Sequence, residues 1–315
     1  MKTDRLRGAL LGAVVADALG VPVEFSSREE RRRDPVTGVR GYGTYQQPPG
    51  TWSDDSSMLL CTVEQLRGEY DPDALGRLFT AWCFDGYCTP WGQTFDRGGT
   101  TTAALQRVRR GVPAEEAGLD DERSNGNGSL MRILPVALRY AGAPDDMLLE
   151  MAHRISAITH RHPRSQMACG IYCLIARELL GGYPAGKAYA RGIDRARDWY
   201  RREPFAAEAP HFARVFSGTI GELPENDINS GGYVIDTLEA ALWCLLTATS
   251  YPEAVLQAIN LGGDTDTTAC VAGGLAGLYY GAGTIPAEWL EALARREMVL
   301  ALVDRYITVV KGCDP

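Results

Sequence analysis

The stretch Asp266-Thr267-Thr268-Ala269-Cys270-Val271-Ala272-Gly273-Gly274-Leu275-Ala276-Gly277-Leu278-Tyr279-Tyr280 decides how this chain reads. After Thr268 it is apolar nearly all round, and Ala269, Ala272, Gly273, Gly274, Ala276 and Gly277 are spread along it. A helix that is apolar on every face is a buried one. Small residues let neighbouring helices come close, so this segment belongs at the centre of a helical bundle.

Working outward, Ile235, Leu238, Ala241, Leu242, Leu245 and Leu246 give segment 235–249 the i, i+3, i+4, i+7 stripe of a core helix. The same periodicity predicts helices at 4–18, 55–68, 73–85, 100–110, 129–141, 145–157, 165–180, 186–201, 252–260 and 287–310. Loops are expected at 20–52, 86–99, 112–128, 159–164 and 202–233, the last long enough to suggest a functional role. Strand signals are poor: Val39–Tyr45 is a short extended piece, and no alternating series builds a sheet. Length alone favours roughly two domains. The residues singled out below are spread from Glu24 to Thr268, however, which favours one all-α domain over 1–315.

Hydrophobic residues make up 45% of the 315-residue chain and charged ones 23%, an ordinary globular composition. A net charge of −8 argues against a general nucleic-acid binder, which needs a basic face for phosphate. The eight cysteines form no CxxC pair, and several fall within apolar helical patterns. That usage points to reduced thiols and a cytoplasmic protein. Lys2, Arg5 and Arg7 before an apolar run resemble a secretory leader, but Asp17 ends the run and its spacing is helical. No stretch approaches the roughly twenty apolar residues of a membrane span.

Two acidic runs stand about two hundred residues apart: Gly50-Thr51-Trp52-Ser53-Asp54-Asp55-Ser56-Ser57-Met58 and Gly262-Gly263-Asp264-Thr265-Asp266-Thr267-Thr268. Each places carboxylates and hydroxyls just before an apolar helix. Either could simply cap that helix, whose dipole welcomes negative charge. If the two helices are neighbours, the acidic ends meet at one mouth. Four carboxylates there would repel strongly, and divalent cations, which prefer hard oxygen ligands, would relieve the cost.

Seven collinear stretches extend the pattern. They are Gly8–Gly12 with Asp17–Glu24; Gly50–Met58; Phe95-Asp-Arg-Gly-Gly-Thr-Thr101; Gly126-Asn-Gly-Ser-Leu-Met-Arg132; Ser156-Ala-Ile-Thr-His160; Gly232-Tyr-Val-Ile-Asp236; and Gly262–Thr268. Together they resemble the ADP-ribosylglycohydrolase family, which includes the dinitrogenase-reductase-activating glycohydrolases and the eukaryotic ADP-ribosylhydrolases. The resemblance runs from about residue 5 to 290.

The resemblance implies a compact orthogonal multi-helix bundle with a dinuclear metal site at the mouth of a central cleft. It implies Ser53, Asp54 and Asp55 as ligands of one cation, and Asp264, Asp266 and Thr267 of the other, with Asp266 able to bridge. The ions would be Mg2+ or Mn2+. Glu24 and Asp96, with Asp55, take the catalytic roles. Gly126, Asn127, Gly128, Ser129, Met131, Arg132, His160 and Tyr233 would line the substrate site, with Tyr233 stacked on adenosine and Ser129 capping the helix after it.

Ser53 stands where the family usually has threonine. Trp52 is a larger side chain than expected, able to narrow the metal mouth. Val15-Ala16 replaces a more usual glycine in the first helix, which bears on packing. The implied substrate is an ADP-ribosylated protein, arginine-linked as first choice, or a small ADP-ribosyl conjugate, with ADP-ribose as product. A monomer is expected.

Blander readings sit beside these. Glu24 and Asp96 could be an exposed acid and a turn residue, and Asn127-Gly128 is first a turn signal. His160 and His162, at i and i+2 without acidic or cysteine partners, make a poor zinc site; His153 and His162 read as structural. The run Arg28–Asp34 reads as a solvated, internally paired face. Two rival functions remain at this stage: a terpene-cyclase-like metal enzyme, weakly suggested by Asn226–Ser230, and a non-catalytic ADP-ribose-binding relative.

Overall fold

The computed structural model describes residues 2–312, and all regular structure among them is helical. Sixteen α-helices and several 3-10 turns are joined by loops, and isolated bridges such as Tyr42–Gln47 stand where strands would be.

The glycine-rich helix Thr265–Tyr280 is buried along most of its length, and its most extensive partner is the N-terminal helix Lys2–Gly20. Small residues set how close the two come. A Cβ on Gly12 would lie 2.6 Å from the Gly273 carbonyl oxygen, and one on Gly8 would overlap the carbonyl of Gly277. Ala16 fills the space over Gly273, so a methyl is accepted at that position of the first helix. The contacts pair Gly8 with Gly277, Gly12 with Gly273 and Gly20 with Asp266, so the helices run antiparallel. The C-terminal end of the first helix, carrying Asp17, therefore meets the N-terminal end of the second, carrying Asp264 and Asp266.

Helices Val234–Thr247, Tyr251–Asn260 and Pro163–Leu180 pack around this pair. Tyrosine hydroxyls from two of them reach its carbonyls, Tyr251 to Gly12 at 2.8 Å and Tyr172 to Val271 at 3.1 Å. One apolar core runs from Leu6 to Val310. The helix Lys2–Gly20 does meet the length and hydropathy of a membrane span, contrary to expectation. Its apolar window is 94% buried within the protein, because the glycine-rich helix covers it.

Several boundaries differ from the sequence reading. The helix expected over 129–141 is a 3-10 turn at Asn127–Ser129 followed by Leu134–Arg139. Pro135 has no N–H to donate and so fits only the first turn. The helix expected over 287–310 is split into Ala287–Ala292 and Arg296–Gly312. There the chain bends onto Gly50, whose carbonyl accepts the Ala294 N–H at 3.0 Å.

Within expected loops, Ala114–Ala117, Ala213–Ser217 and Arg28–Arg33 are helical. The last has a capping box: Ser27 accepts from the Glu30 N–H, and Glu30 accepts from the Ser27 N–H. Arg28 is not a solvated charge. Its guanidinium donates to the carbonyls of Leu261 (2.9 Å), Glu225 (2.6 Å) and Ile228, tying segment 225–228 to the helix end before Gly262.

Candidate active site

Three chain segments converge where the central helices meet. Asp54 and Asp55 open the helix Asp54–Gln65, with Ser53 as its N-cap. Gly262 and Gly263 both have φ near +75°, a left-handed geometry that glycine adopts without a Cβ penalty. They turn the chain into Asp264 and the glycine-rich helix, and Asp264 makes no side-chain cap there. Glu24 and Phe25 follow the N-terminal helix. Phe25 donates its N–H to Gly263 O at 2.7 Å, and Gly263 returns one to Ser26 O at 2.7 Å. The Glu24 loop and the Asp264 loop are thus stapled together.

The carboxylates fall into two overlapping groups, Asp17–Asp55–Asp266 and Glu24–Asp264–Asp266. Within each group one oxygen per residue lies within 4.8 Å of the others. Asp266 is common to both. Asp55 Oδ2 accepts from the Thr267 hydroxyl at 3.2 Å and lies 3.0 Å from Ser53 Oγ. Asn127 Nδ2 holds Asp264 at 2.8 Å. Even so, Glu24 Oε2, Asp55 Oδ1, Asp264 Oδ1 and Asp266 Oδ2 are buried without any partner.

An unsatisfied buried carboxylate oxygen is expensive, and four of them within two groups that share Asp266 suit hard cations. Of the expected ligands, Asp55, Asp264 and Asp266 lie in these groups, with Ser53, Asp54 and Thr267 beside them, and Asp17 lies beneath. Asp17 was not anticipated as a site residue: inside an apolar helical run it reads as a helix-ending charge. Its complete burial is the revealing feature.

Electrostatics follow from this crowding. Burial pushes the pKa values of Asp54, Asp55 and Asp266 well above the usual carboxylate range, and neighbouring carboxylates add to the effect. Glu24 is pushed up to about 9 by burial and then by the charge of Asp96. Asp17 is raised to about 7 by burial, against the lowering effect of hydrogen bonds from Ser56 and Ser53. Without counter-charge the nest holds protons at neutral pH.

Above the nest lies a cleft of about 260 Å³. Glu24, Phe25, Asp54, Asp96, Asp264 and Thr267 form its acidic end. The rest is mostly backbone and small side chains: Gly98 to Thr101, where helix Gly99–Arg109 begins, and Gly126 to Gly128, Gly232, Met131 and His160. Exposed N–H groups at a helix start favour phosphate oxygens. Neither Phe25 nor the Gly98–Thr101 helix start was anticipated as part of the site. A larger groove of about 490 Å³ near Trp243 and Leu256 gathers no comparable carboxylates.

His160 is nearly fully buried, and Gly128 is glycine because a Cβ there would meet the imidazole at 2.9 Å. Burial, followed by the nearby Arg132 charge, lowers His160 to about 3, so the ring is neutral. Thr159 Oγ1 accepts from Arg132 Nη2 at 2.7 Å and lies 2.8 Å from His160 Nδ1. With the threonine hydrogen given to Nδ1, the ring carries its N–H on Nε2. Nε2 is the ring nitrogen nearest Gly126.

Some expected ligand residues lie elsewhere. Arg132 is wholly buried, donating to Gly128 O, Ile155 O and Thr159, with its guanidinium 4.5 Å above the Phe79 ring. It braces the glycine wall from behind and does not reach the cleft. Ser129 is also fully buried and caps no helix; its hydroxyl meets Ser156 at 2.9 Å and Cys169 Sγ at 3.4 Å.

Trp52 does not narrow the mouth. It is 0% exposed, part of the core beside Trp82. Tyr233 stands beside the cleft through its backbone bridge to Gly126, and its hydroxyl accepts from Arg164 at 3.3 Å. His153 is structural: its Nε2 meets the Tyr200 hydroxyl at 2.8 Å. His162 is structural too, capping helix Pro163–Leu180.

An all-α frame that gathers this nest under a glycine-walled cleft defines a helical glycosidic-bond hydrolase. The chain belongs to the ADP-ribosylglycohydrolase family, whose model matches residues 1–315. It is 31% identical to the ADP-ribosylarginine hydrolase Tri1 of Serratia proteamaculans, over 96% of this chain and 78% of that one. It is also 31% identical to the ADP-ribosyl-[dinitrogen reductase] glycohydrolase of Rhodospirillum rubrum, covering 92% and 90%. A solved structure described as an ADP-ribosylglycohydrolase-related protein complex superposes with a TM-score of 0.82 at 35% identity, covering 98% and 99%.

Proposed function

We propose that the chain removes ADP-ribose from arginine side chains of modified proteins by hydrolysing the C1″ glycosidic bond. Two divalent cations, Mg2+ or Mn2+, would be held by Ser53, Asp54, Asp55, Asp264, Asp266 and Thr267, with Asp17 beneath them. The observation that carries this reading is the set of four buried, unpartnered carboxylate oxygens in the two carboxylate groups that share Asp266, with Glu24 and Asp264 opening on the cleft. The arginine linkage rests on relatives named as ADP-ribosylarginine hydrolases.

Bound there, the cations supply counter-charge to the nest and Lewis acidity toward sugar and water oxygens. The chain's own residues do the rest. The start of helix Gly99–Arg109, the backbone N–H of Gly126 and His160 Nε2–H offer donors to the diphosphate, while the Asn127 N–H is already given to Gly232 O. Tyr233, beside Gly126, is the aromatic available to the adenine. Glu24 and Asp96 both neighbour the Tyr45 hydroxyl. A tyrosine proton serves one carboxylate at a time, so this trio can hold a proton beside the scissile bond as an oxocarbenium-like state develops.

Residues 1–315 would act as one domain, as a cytoplasmic monomer without nucleic-acid or membrane partners. The test is a panel of arginine-, serine- and acetyl-linked ADP-ribosyl substrates, assayed with and without chelator. Chelator-sensitive release from the arginine conjugate is expected, and its loss in Asp264→Ala/Asp266→Ala. Undiminished turnover in that variant refutes the assignment.

A further inference from the structure

The cleft is lined both by donor backbone and by carboxylates, with Phe25 beside Glu24. Donor backbone and His160 face the ADP portion, while the carboxylates face C1″. The group released from C1″ must therefore leave past Glu24, Phe25 and Asp96. Phe25 is 69% exposed, more than any other large apolar residue among those described. It is nonetheless rigidly placed. Its φ is +63°, a left-handed conformation uncommon for a bulky side chain, and its N–H is bonded to Gly263 in the cation-binding loop.

A strained, fixed, exposed aromatic at the rim of an acidic cleft has no packing explanation, and such strain clusters at ligand clamps. Behind it, the rings of Phe25 and Tyr45 lie 6.5 Å apart edge to face, and Tyr45 and Phe95 are 5.1 Å apart. The Tyr45 hydroxyl neighbours Glu24 and Asp96. The residues lining the cleft include Glu24, Asp54, Asp96 and Asp264 but no lysine or arginine. An incoming cation therefore meets aromatic faces and the Glu24 and Asp96 carboxylates, and no lysine or arginine side chain.

Resting on the hydrolase reading above, we propose that Phe25, backed by Tyr45 and Phe95, forms the acceptor subsite and selects a planar cationic guanidinium. The arginine-side guanidinium lies over the Phe25 face while Glu24 and Asp96 meet its N–H groups. A neutral hydroxyl-bearing acceptor such as serine gains nothing from either feature. Cation–π attraction of this kind strengthens as water is excluded.

The experiment compares steady-state kinetics of wild type, Phe25→Leu and Phe25→Tyr on ADP-ribosylarginine and ADP-ribosylserine conjugates in Mn2+. Leucine keeps the apolar bulk and removes the π face. The expected result is a KM for the arginine conjugate raised roughly tenfold more than that for the serine conjugate in Phe25→Leu, with Phe25→Tyr restoring the wild-type ratio. Equal KM changes on both conjugates, or no change, overturn the subsite while leaving the hydrolase reading intact. A wild-type enzyme that cleaves only the serine conjugate overturns the arginine reading and the subsite with it.

Discussion

Ser56 gives both its N–H, at 3.0 Å, and its hydroxyl to Oδ2 of Asp17. Ser53 does the same for Oδ1, with its N–H at 3.1 Å and its hydroxyl at 2.9 Å. One carboxylate at the end of the N-terminal helix thus fixes the start of the Asp54 helix, and with it the direction in which Asp54 and Asp55 point. Such outer partners commonly matter 10- to 100-fold in metal affinity. Asp17→Asn replaces an acceptor with an NH2 that faces donors. Calorimetric titration with Mn2+ should show affinity weakened by roughly that factor, with helicity by circular dichroism retained. Wild-type affinity in the variant would show that Asp17 merely packs.

The nest makes stability depend on pH in an unusual direction. Glu24, raised to about 9, and Asp17, raised to about 7, bind protons in the folded state that they release when unfolded. Stability from such groups falls as pH rises through the window, the reverse of a salt-bridged carboxylate. His153 and His160, both lowered to about 3, act in the opposite sense, but only below their unfolded value of 6.5. Between about pH 6.5 and 8.5 the carboxylates dominate, at up to ~1.4 kcal/mol per pH unit and group. Chelated protein should lose melting temperature across that interval, and protein in saturating Mn2+ should lose less. Parallel curves with and without the ion would contradict a cation site in this nest.

Much of this arrangement is legible in the chain itself. Segment 266–280 reads as a central helix from its glycines and alanines, and both acidic runs sit where helix starts belong, so their meeting follows once the helices are neighbours. What stays hidden is decided by tertiary context. Arginine is ordinarily exposed, and nothing local marks Arg132 as sealed between Phe79, Ile155 and Thr159. Asp17 looks like a charge that ends an apolar run until the Ser53–Ser56 turn is folded against it. The break at 293–295 comes from the contact with Gly50, which no periodicity reports. The capping box at Ser27-Arg28-Glu29-Glu30 was readable from its spacing alone and was masked by the density of charge around it.

The central crossing should be intolerant of one added methyl. Gly277 faces the Gly8 carbonyl and has no room for a Cβ, whereas a Cβ on Gly283 meets nothing within 4 Å. Gly277→Ala must push the two core helices apart, at a cost of about 1–3 kcal/mol. Gly283→Ala should fall within about 0.5 kcal/mol of wild type. Urea unfolding of both variants checks this, and equal midpoints would mean that the helices do not approach as described. Because the same crossing sets Asp17 against Asp266, Gly277→Ala should also weaken Mn2+ binding, a readout independent of stability.

Arg132 separates a bracing role from a ligand role. Arg132→Met keeps apolar contact with Phe79 but leaves Gly128 O, Ile155 O and Thr159 Oγ1 without their donor, at about 1–3 kcal/mol for each buried group stranded. The thermal midpoint should fall clearly. The relay also changes: without the Arg132 hydrogen bond to Thr159 and its charge, which disfavours a second donor pointing at Thr159, the hydroxyl can reorient and the ring can exchange tautomers. Imidazole nitrogen resonances should show an Nε2–H form in the wild type and a mixture in the variant. Were Arg132 a direct ligand contact instead, the variant would lose ADP-ribose affinity with its melting temperature and His160 resonances unmoved.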